Sequence, residues 1–231
     1  MMKKFLTGCA LALGVLLAFG CCIGAITHAA YCEYHTPEVV LDAGHGGIDG
    51  GVVGKQSGVK ESDVNLSIVY SLKEYLEERG VKVVLTRKTE AGLYGTTAKY
   101  FKKRDMEKRR EIIEKASPNV VVSIHQNFFS NLNKRGATVF YRQGDGCGES
   151  LARCIQSQFN GNEGTPSART PLLGDYFILN CTNYPSVIVE CAFLSNREDE
   201  ALLITEEYRR TVAERVANGI LSYLLKENQA Q

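Results

Sequence analysis

The sequence predicts an α/β domain in three layers, a mostly parallel sheet with helices on both faces. Two observations predict it. Short runs rich in valine and isoleucine alternate with longer stretches whose apolar residues recur at helical spacing. Several of the short runs also lack polar alternation, as strands covered on both faces require.

The elements follow in order. Residues 39–42 form a short apolar strand that feeds a glycine-rich loop at 43–58. Residues 64–79 place Leu66, Val69, Leu72 and Leu76 on one helical face and stop at Gly80, with Ser62 as the expected N-cap. A second strand spans 81–86. A basic helix spans 101–116 and is closed by Pro118, which cannot continue a helix. Residues 120–124 form an uncharged strand ending at His125. Strands are expected at 136–141, 176–180 and 186–189, a helix at 149–159, and an amphipathic helix at 206–225. Helices between successive strands favour parallel crossovers, and sites in such sheets form in the crevice beyond the strands' carboxyl ends.

Composition narrows the function. The chain has 231 residues, 44% of them hydrophobic, enough to bury a sizeable core. Residues 1–30 read as a separate segment, a signal peptide or membrane anchor: Lys3 and Lys4 precede a charge-free run from Phe5 to Ile26. The length of that run favours an uncleaved anchor, although Thr27-His28-Ala29 offers small residues for cleavage. Either reading places residues 31–231, one catalytic domain, outside the cytoplasm, secreted or held at the outer membrane face. The net charge of +1 gives no basic field, so nucleic acid is excluded as an expected partner. Of eight cysteines, four lie in or just after the apolar segment. Cys147, Cys154, Cys181 and Cys191 form no CxxC pair and read as free thiols.

Four residues stand out, His45, Glu61, His125 and Glu190. Two imidazoles and a carboxylate can hold zinc with one position open, and a second carboxylate can then work the bound water. Each has a plainer alternative. His45, in Gly44-His45-Gly46-Gly47, could be an exposed turn histidine, and Glu61 ordinary acid enrichment at a helix start. His125 at a strand end could be structural. Glu190 follows Val187-Ile188-Val189, where a carboxylate is costly unless it meets water, a cation or a metal, so an ion pair to an arginine is its alternative. The glycine-rich loop is no phosphate cradle: no GxGxxG is present and Gly54-Lys55 is followed by Gln56.

Taken together, four blocks resemble the signatures of the zinc-dependent N-acetylmuramoyl-L-alanine amidases. They are Val40-Leu41-Asp42-Ala43-Gly44-His45-Gly46-Gly47, Lys60-Glu61 ahead of a helix, Ser123-Ile124-His125-Gln126-Asn127, and Val189-Glu190-Cys191-Ala192-Phe193-Leu194-Ser195-Asn196. The resemblance spans about residues 38–225 with the blocks in family order. It implies a mixed sheet of roughly six strands between helices. It further implies Zn2+ held by His45, Glu61 and His125, with Glu190 as the catalytic carboxylate. Arg87 and Arg109 match family positions that look structural. The implied substrate is peptidoglycan, cut between N-acetylmuramic acid and L-alanine, in wall or spore-cortex remodelling, with an activating protein partner an open possibility. A zinc peptidase acting within the stem peptide and a non-catalytic wall-binding regulator are the alternatives.

Overall fold

The computed structural model describes residues 36–230 apart from 97, 98, 163 and 166. The expected signal or anchor segment, 1–30, lies outside the described residues. Among the described residues no helix is long and apolar enough to cross a membrane.

Six strands form one mixed sheet: β1 (Glu38–Ala43), β2 (Lys82–Leu85), β3 (Val120–Asn127), β4 (Thr138–Tyr141), β5 (Leu172–Leu173) and β6 (Ser186–Phe193). Their spatial order is β2-β1-β3-β6-β4-β5. β2, β1, β3 and β6 run parallel, while β4 is antiparallel to β6 and parallel to β5. The helices are α1 (Glu61–Glu77), α2 (Phe101–Ala116), α3 (Gly146–Phe159), α4 (Phe177–Asn180), α5 (Arg197–Leu203) and α6 (Glu206–Ala230).

The period-2 alternation of strand side chains divides the core in two. Val39, Leu41, Val122, Ile124, Val187 and Val189 face one layer, packed by Leu72 of α1, Ile155 of α3 and Val216 of α6. Val40, Val121 and Ile188 face the other, covered by Ile113 of α2 and by Ile178 and Leu179 of α4. The chain passes from β1 through α1 to β2, then through α2 back across to β3 on the other side of β1. A crevice between β1 and β3 follows from that reversal, and ligands bind at such switch points.

α2 buries only Asp105, Arg109 and Ile113, a stripe at i, i+4 and i+8. That explains a helix so basic in sequence: its solvent face is wide, and its one buried stripe carries charge that must be paired. Helices α3 and α6 approach closely at Gly219, where a Cβ would fall 2.5 Å from the Ile155 Cα. We expect Gly219→Val to destabilise the domain by about 1–3 kcal/mol through overpacking, read as a lower urea midpoint at unchanged slope.

Three expectations need correction. Residues 176–180 form no strand: Phe177–Asn180 is a helical turn, with Tyr176 stacked edge-on to Phe140 at 5.7 Å and Ile178 and Leu179 turned into the second core layer. A five-residue apolar run carries too little periodicity to separate the two forms. Ser62 is not the N-cap of α1, which starts from Lys60 without a side-chain cap; the Ser62 hydroxyl instead donates to Asp63. The strands at 120–124 and 186–189 extend past His125 and Glu190, so both residues lie within ladders rather than beyond them. The strand β5 and the helix α5 had no sequence expectation. The described cysteines, Cys147, Cys154, Cys181 and Cys191, are all unbridged.

Candidate metal centre and active site

The loop after β1 positions His45. Its φ of 62° lies in the left-handed region, as do those of the neighbouring Gly46 at 141° and Gly47 at 63°. A non-glycine residue holds that conformation only when its surroundings impose it. Two buried guanidinium groups do so. Arg109 donates to the carbonyls of Ala43 at 2.8 Å and His45 at 2.7 Å. Arg87 donates to Ala43 at 2.8 Å, Gly44 at 3.1 Å and Ser62 at 2.7 Å, tying the loop to the start of α1. Three successive carbonyls are thus fixed by arginine.

Charge balance beneath the loop comes from Asp42 and Asp105. Asp42 pairs with Arg109 and accepts from the Thr86 and Ser123 hydroxyls, each at 2.6 Å. Burial alone would raise its carboxyl, but the Arg109 charge and the two hydroxyls override this and hold it at about 2. Asp105 receives Arg109 Nε at 2.6 Å and the Leu93 amide at 2.5 Å.

Glu61, in the first turn of α1, reaches the crevice from above the strand ends. Its Oε1 lies 3.2 Å from His45 Nε2 and 3.0 Å from His125 Nδ1, and accepts from the Gln126 amide at 3.1 Å. Its Oε2 accepts from the Val52 amide at 2.9 Å. Burial works against the Glu61 carboxylate, yet the two imidazoles hold it well below the usual range. At His45 the same pair acts in reverse: burial lowers, while Glu61 and then Asp49 raise it above its ordinary value. Asp49 Oδ1 sits 3.1 Å from His45 Nδ1, near enough to act by charge but without hydrogen-bond alignment. Gly44 makes room for the second imidazole, since a Cβ there would fall 2.2 Å from His125 Cε1.

The ligand-capable atoms of His45, Glu61 and His125 lie within 4.8 Å of one another. Metal–ligand bonds of about 2.0–2.2 Å in a tetrahedral site put neighbouring ligand atoms roughly 3.3 Å apart, so this donor set fits a zinc-sized ion. Glu190 pairs in register with His125 across β3 and β6, and with Thr138 across β4. Its Oε2 is buried without a partner. Burial is the main reason its carboxyl is pushed up to about 7; the Glu61 charge adds to this and the two imidazoles oppose it. No arginine pairs with it among the described residues, so the ion-pair alternative does not hold.

The structure therefore brings together all four residues singled out in the sequence. It adds Asn65, one turn after Glu61, which donates to Gly44 O at 3.2 Å and accepts from Gln126 at 3.1 Å. It also adds Glu200, which accepts from Ser57 N and Oγ, each at 2.7 Å, and from Gln56 N at 2.9 Å, and so pins the loop between His45 and Glu61 to α5. The i, i+4 spacing of Glu61 and Asn65 was a usable signal; nothing local marked Glu200.

A crevice at a sheet switch point, lined by two imidazoles, a clamped carboxylate and an unpartnered one, defines a class: an α/β enzyme equipped for hydrolysis. The chain belongs to the N-acetylmuramoyl-L-alanine amidase family, whose profile matches residues 39–222. It is 32% identical over 193 residues to the germination-specific N-acetylmuramoyl-L-alanine amidase of Bacillus subtilis, covering 82% of this chain and 80% of the relative. The CwlD amidase of Clostridioides difficile, solved in complex with the GerS lipoprotein, superposes with a TM-score of 0.78 at 35% identity, covering 82% of this chain and 98% of that one. The catalytic domain of the amidase CwlV from Bacillus (Paenibacillus) polymyxa gives 0.70 at 28% identity, covering 81% and 98%.

Proposed function

We propose that the chain hydrolyses the N-acetylmuramoyl-L-alanine amide of peptidoglycan as a zinc enzyme, with His45, Glu61 and His125 as ligands and Glu190 as the general base. The observation that carries this reading is the His45, Glu61 and His125 cluster with the free Glu190 carboxylate oxygen beside it. His45, Glu61 and His125 would hold the zinc, which would supply Lewis acidity at the scissile carbonyl and a water acidic near neutral pH. Glu190 takes the proton of the attacking water and returns it to the leaving L-alanine nitrogen. Burial keeps this carboxyl near neutrality, where it can both accept and donate, and a bound cation favours its ionised form. Arg87, Arg109 and Glu200 fix the loop that presents His45, and the Gln126 and Val52 amides orient Glu61.

We further infer a spore-cortex setting, supported by identity to the germination-specific relative, and an extracytoplasmic domain led or anchored by residues 1–30. The Clostridioides difficile relative's lipoprotein complex supports a protein partner for this chain too. Digestion of purified cortex and vegetative wall by the full chain plus zinc tests the function. Stem peptides with a free L-alanine amino terminus are expected; fragments cut within the peptide would establish a zinc peptidase instead, and no cleavage would favour a wall-binding role.

A further inference from the structure

We propose that Asn65 is a positioning residue that spaces the three metal ligands: its buried side-chain amide joins the segments that carry His45, Glu61 and His125, and so sets the affinity of the site for zinc. This rests on the zinc-amidase reading.

Asn65 is an unexpected residue where it stands. It lies within α1 between Val64 and Leu66 and is fully buried. Asparagine is a poor helix former, and its amide costs free energy in an apolar layer unless it is hydrogen-bonded. Here Nδ2 donates to Gly44 O at 3.2 Å and to Glu61 Oε1 at 3.4 Å, while Oδ1 accepts from Gln126 Nε2 at 3.1 Å. A carbonyl and a carboxylate only accept, so these partners fix which way the amide faces. Gly44 precedes His45 and Gln126 follows His125. One side chain therefore touches one ligand directly and the chain neighbour of each of the other two.

A second observation shows why the sheet does not fix this spacing itself. β3 and β6 stay in register from Val121 and Ser186 to His125 and Glu190, but the next pair is Asn127 with Phe193. Gln126 alone on β3 thus stands opposite both Cys191 and Ala192 on β6, a β-bulge one step beyond the ligand. The ladder is disrupted where His125 needs its place held. Gln126 shares the α1 face of β3 with Val122 and Ile124, and its bond to Asn65 ties the strand to α1 at that point. On the other flank Gly44 is held without Asn65, by Arg87 on its carbonyl at 3.1 Å and by its amide on Ile124 O at 3.0 Å. The fold can therefore stand without the Asn65 amide, whereas the mutual spacing of the ligands cannot.

The test compares the full chain with Asn65→Leu and with the double variant Asn65→Leu/Gln126→Leu. Zn2+ affinity is measured by competition with a chelator, stability by urea unfolding of the metal-free proteins, and wall cleavage on the parent. The single change strands Gln126 Nε2 in the core and should lower the urea midpoint. The double change replaces both partners by apolar side chains and should recover most of that stability. Zinc affinity should nevertheless fall about 10–100-fold in both. Gly219→Val, destabilised at the contact of α3 and α6, is the control for lost stability alone and should keep the parent's affinity. Parental affinity in the Asn65 variants, recovery of affinity together with stability in the double variant, or an equal loss in Gly219→Val would each make Asn65 a core residue only and overturn the proposal. A parent that binds no zinc or leaves the wall amide intact would instead remove the zinc-amidase reading beneath it.

Discussion

Glu190→Gln should lower turnover of peptidoglycan by about 10²–10⁴-fold, the range expected for loss of a positioned general base, while zinc stays bound. Stem-peptide release by mass spectrometry and zinc content after dialysis are the two measurements. Gln is nearly isosteric and the residue sits in the middle of the sheet, so the domain should fold. Zinc lost together with activity would make Glu190 a ligand instead. The substitution has a second readout in the metal-free protein. The Glu190 carboxyl is raised from its ordinary 4.5 to about 7 by burial, so its ionisation opposes folding. Stability should fall as pH rises from about 4.5 through 7 in the parent, and this fall should be smaller in the Gln variant.

The largest structural effect is expected at Arg109. Arg109→Met leaves Asp42 and Asp105 buried without their common cation, frees the His45 carbonyl, and leaves the Ala43 carbonyl only its Arg87 donor. Removal of one partner of a buried ion pair costs about 3–5 kcal/mol, measurable by urea unfolding. Asp42→Asn in that background should restore part of the loss, because the two residues form one network. The same network predicts acid sensitivity. Asp42 titrates near 2 in the folded state against an ordinary value of 3.8, so its contribution is complete above about 4. It is lost as pH falls from there through 2, and amounts to about 2 kcal/mol by linkage. An unfolding free energy that stays flat across that window would contradict the pairing.

The outline of the fold was legible because the valine-rich runs at 39–42, 120–124 and 186–189 and the helical stripe at 64–79 are long-range statements about burial, and burial is what the sheet delivers. The turn at Phe177–Asn180 was not legible, since its form depends on Tyr176 finding Phe140 rather than on local preference. At the site, His45, His125 and Glu190 could be grouped by strand-end position. Glu61 could not, because a carboxylate in a first helical turn is ordinary, and its value here comes from amides at Val52 and Gln126 that only the folded chain supplies. Glu200 lies beyond sequence reasoning for the same reason, as its partners are 143 and 144 residues away.

The antiparallel strand β4 has a consequence for how the site tolerates change. By pairing with β6 it places Glu190 in an interior strand, laddered to β3 on one side and β4 on the other. His45 by contrast rides on a loop held by its own backbone turns and by side chains from Arg87, Arg109 and Glu200 rather than by a strand ladder. The centre is thus half stiff and half adjustable. Amide hydrogen exchange should be among the slowest in the domain at Glu190 and faster by orders of magnitude along the loop of residues 46–58. Under the proposed zinc-hydrolase reading, substitutions in that loop should change metal affinity and cleft shape while Glu190 keeps its place, so metal affinity and turnover should vary separately.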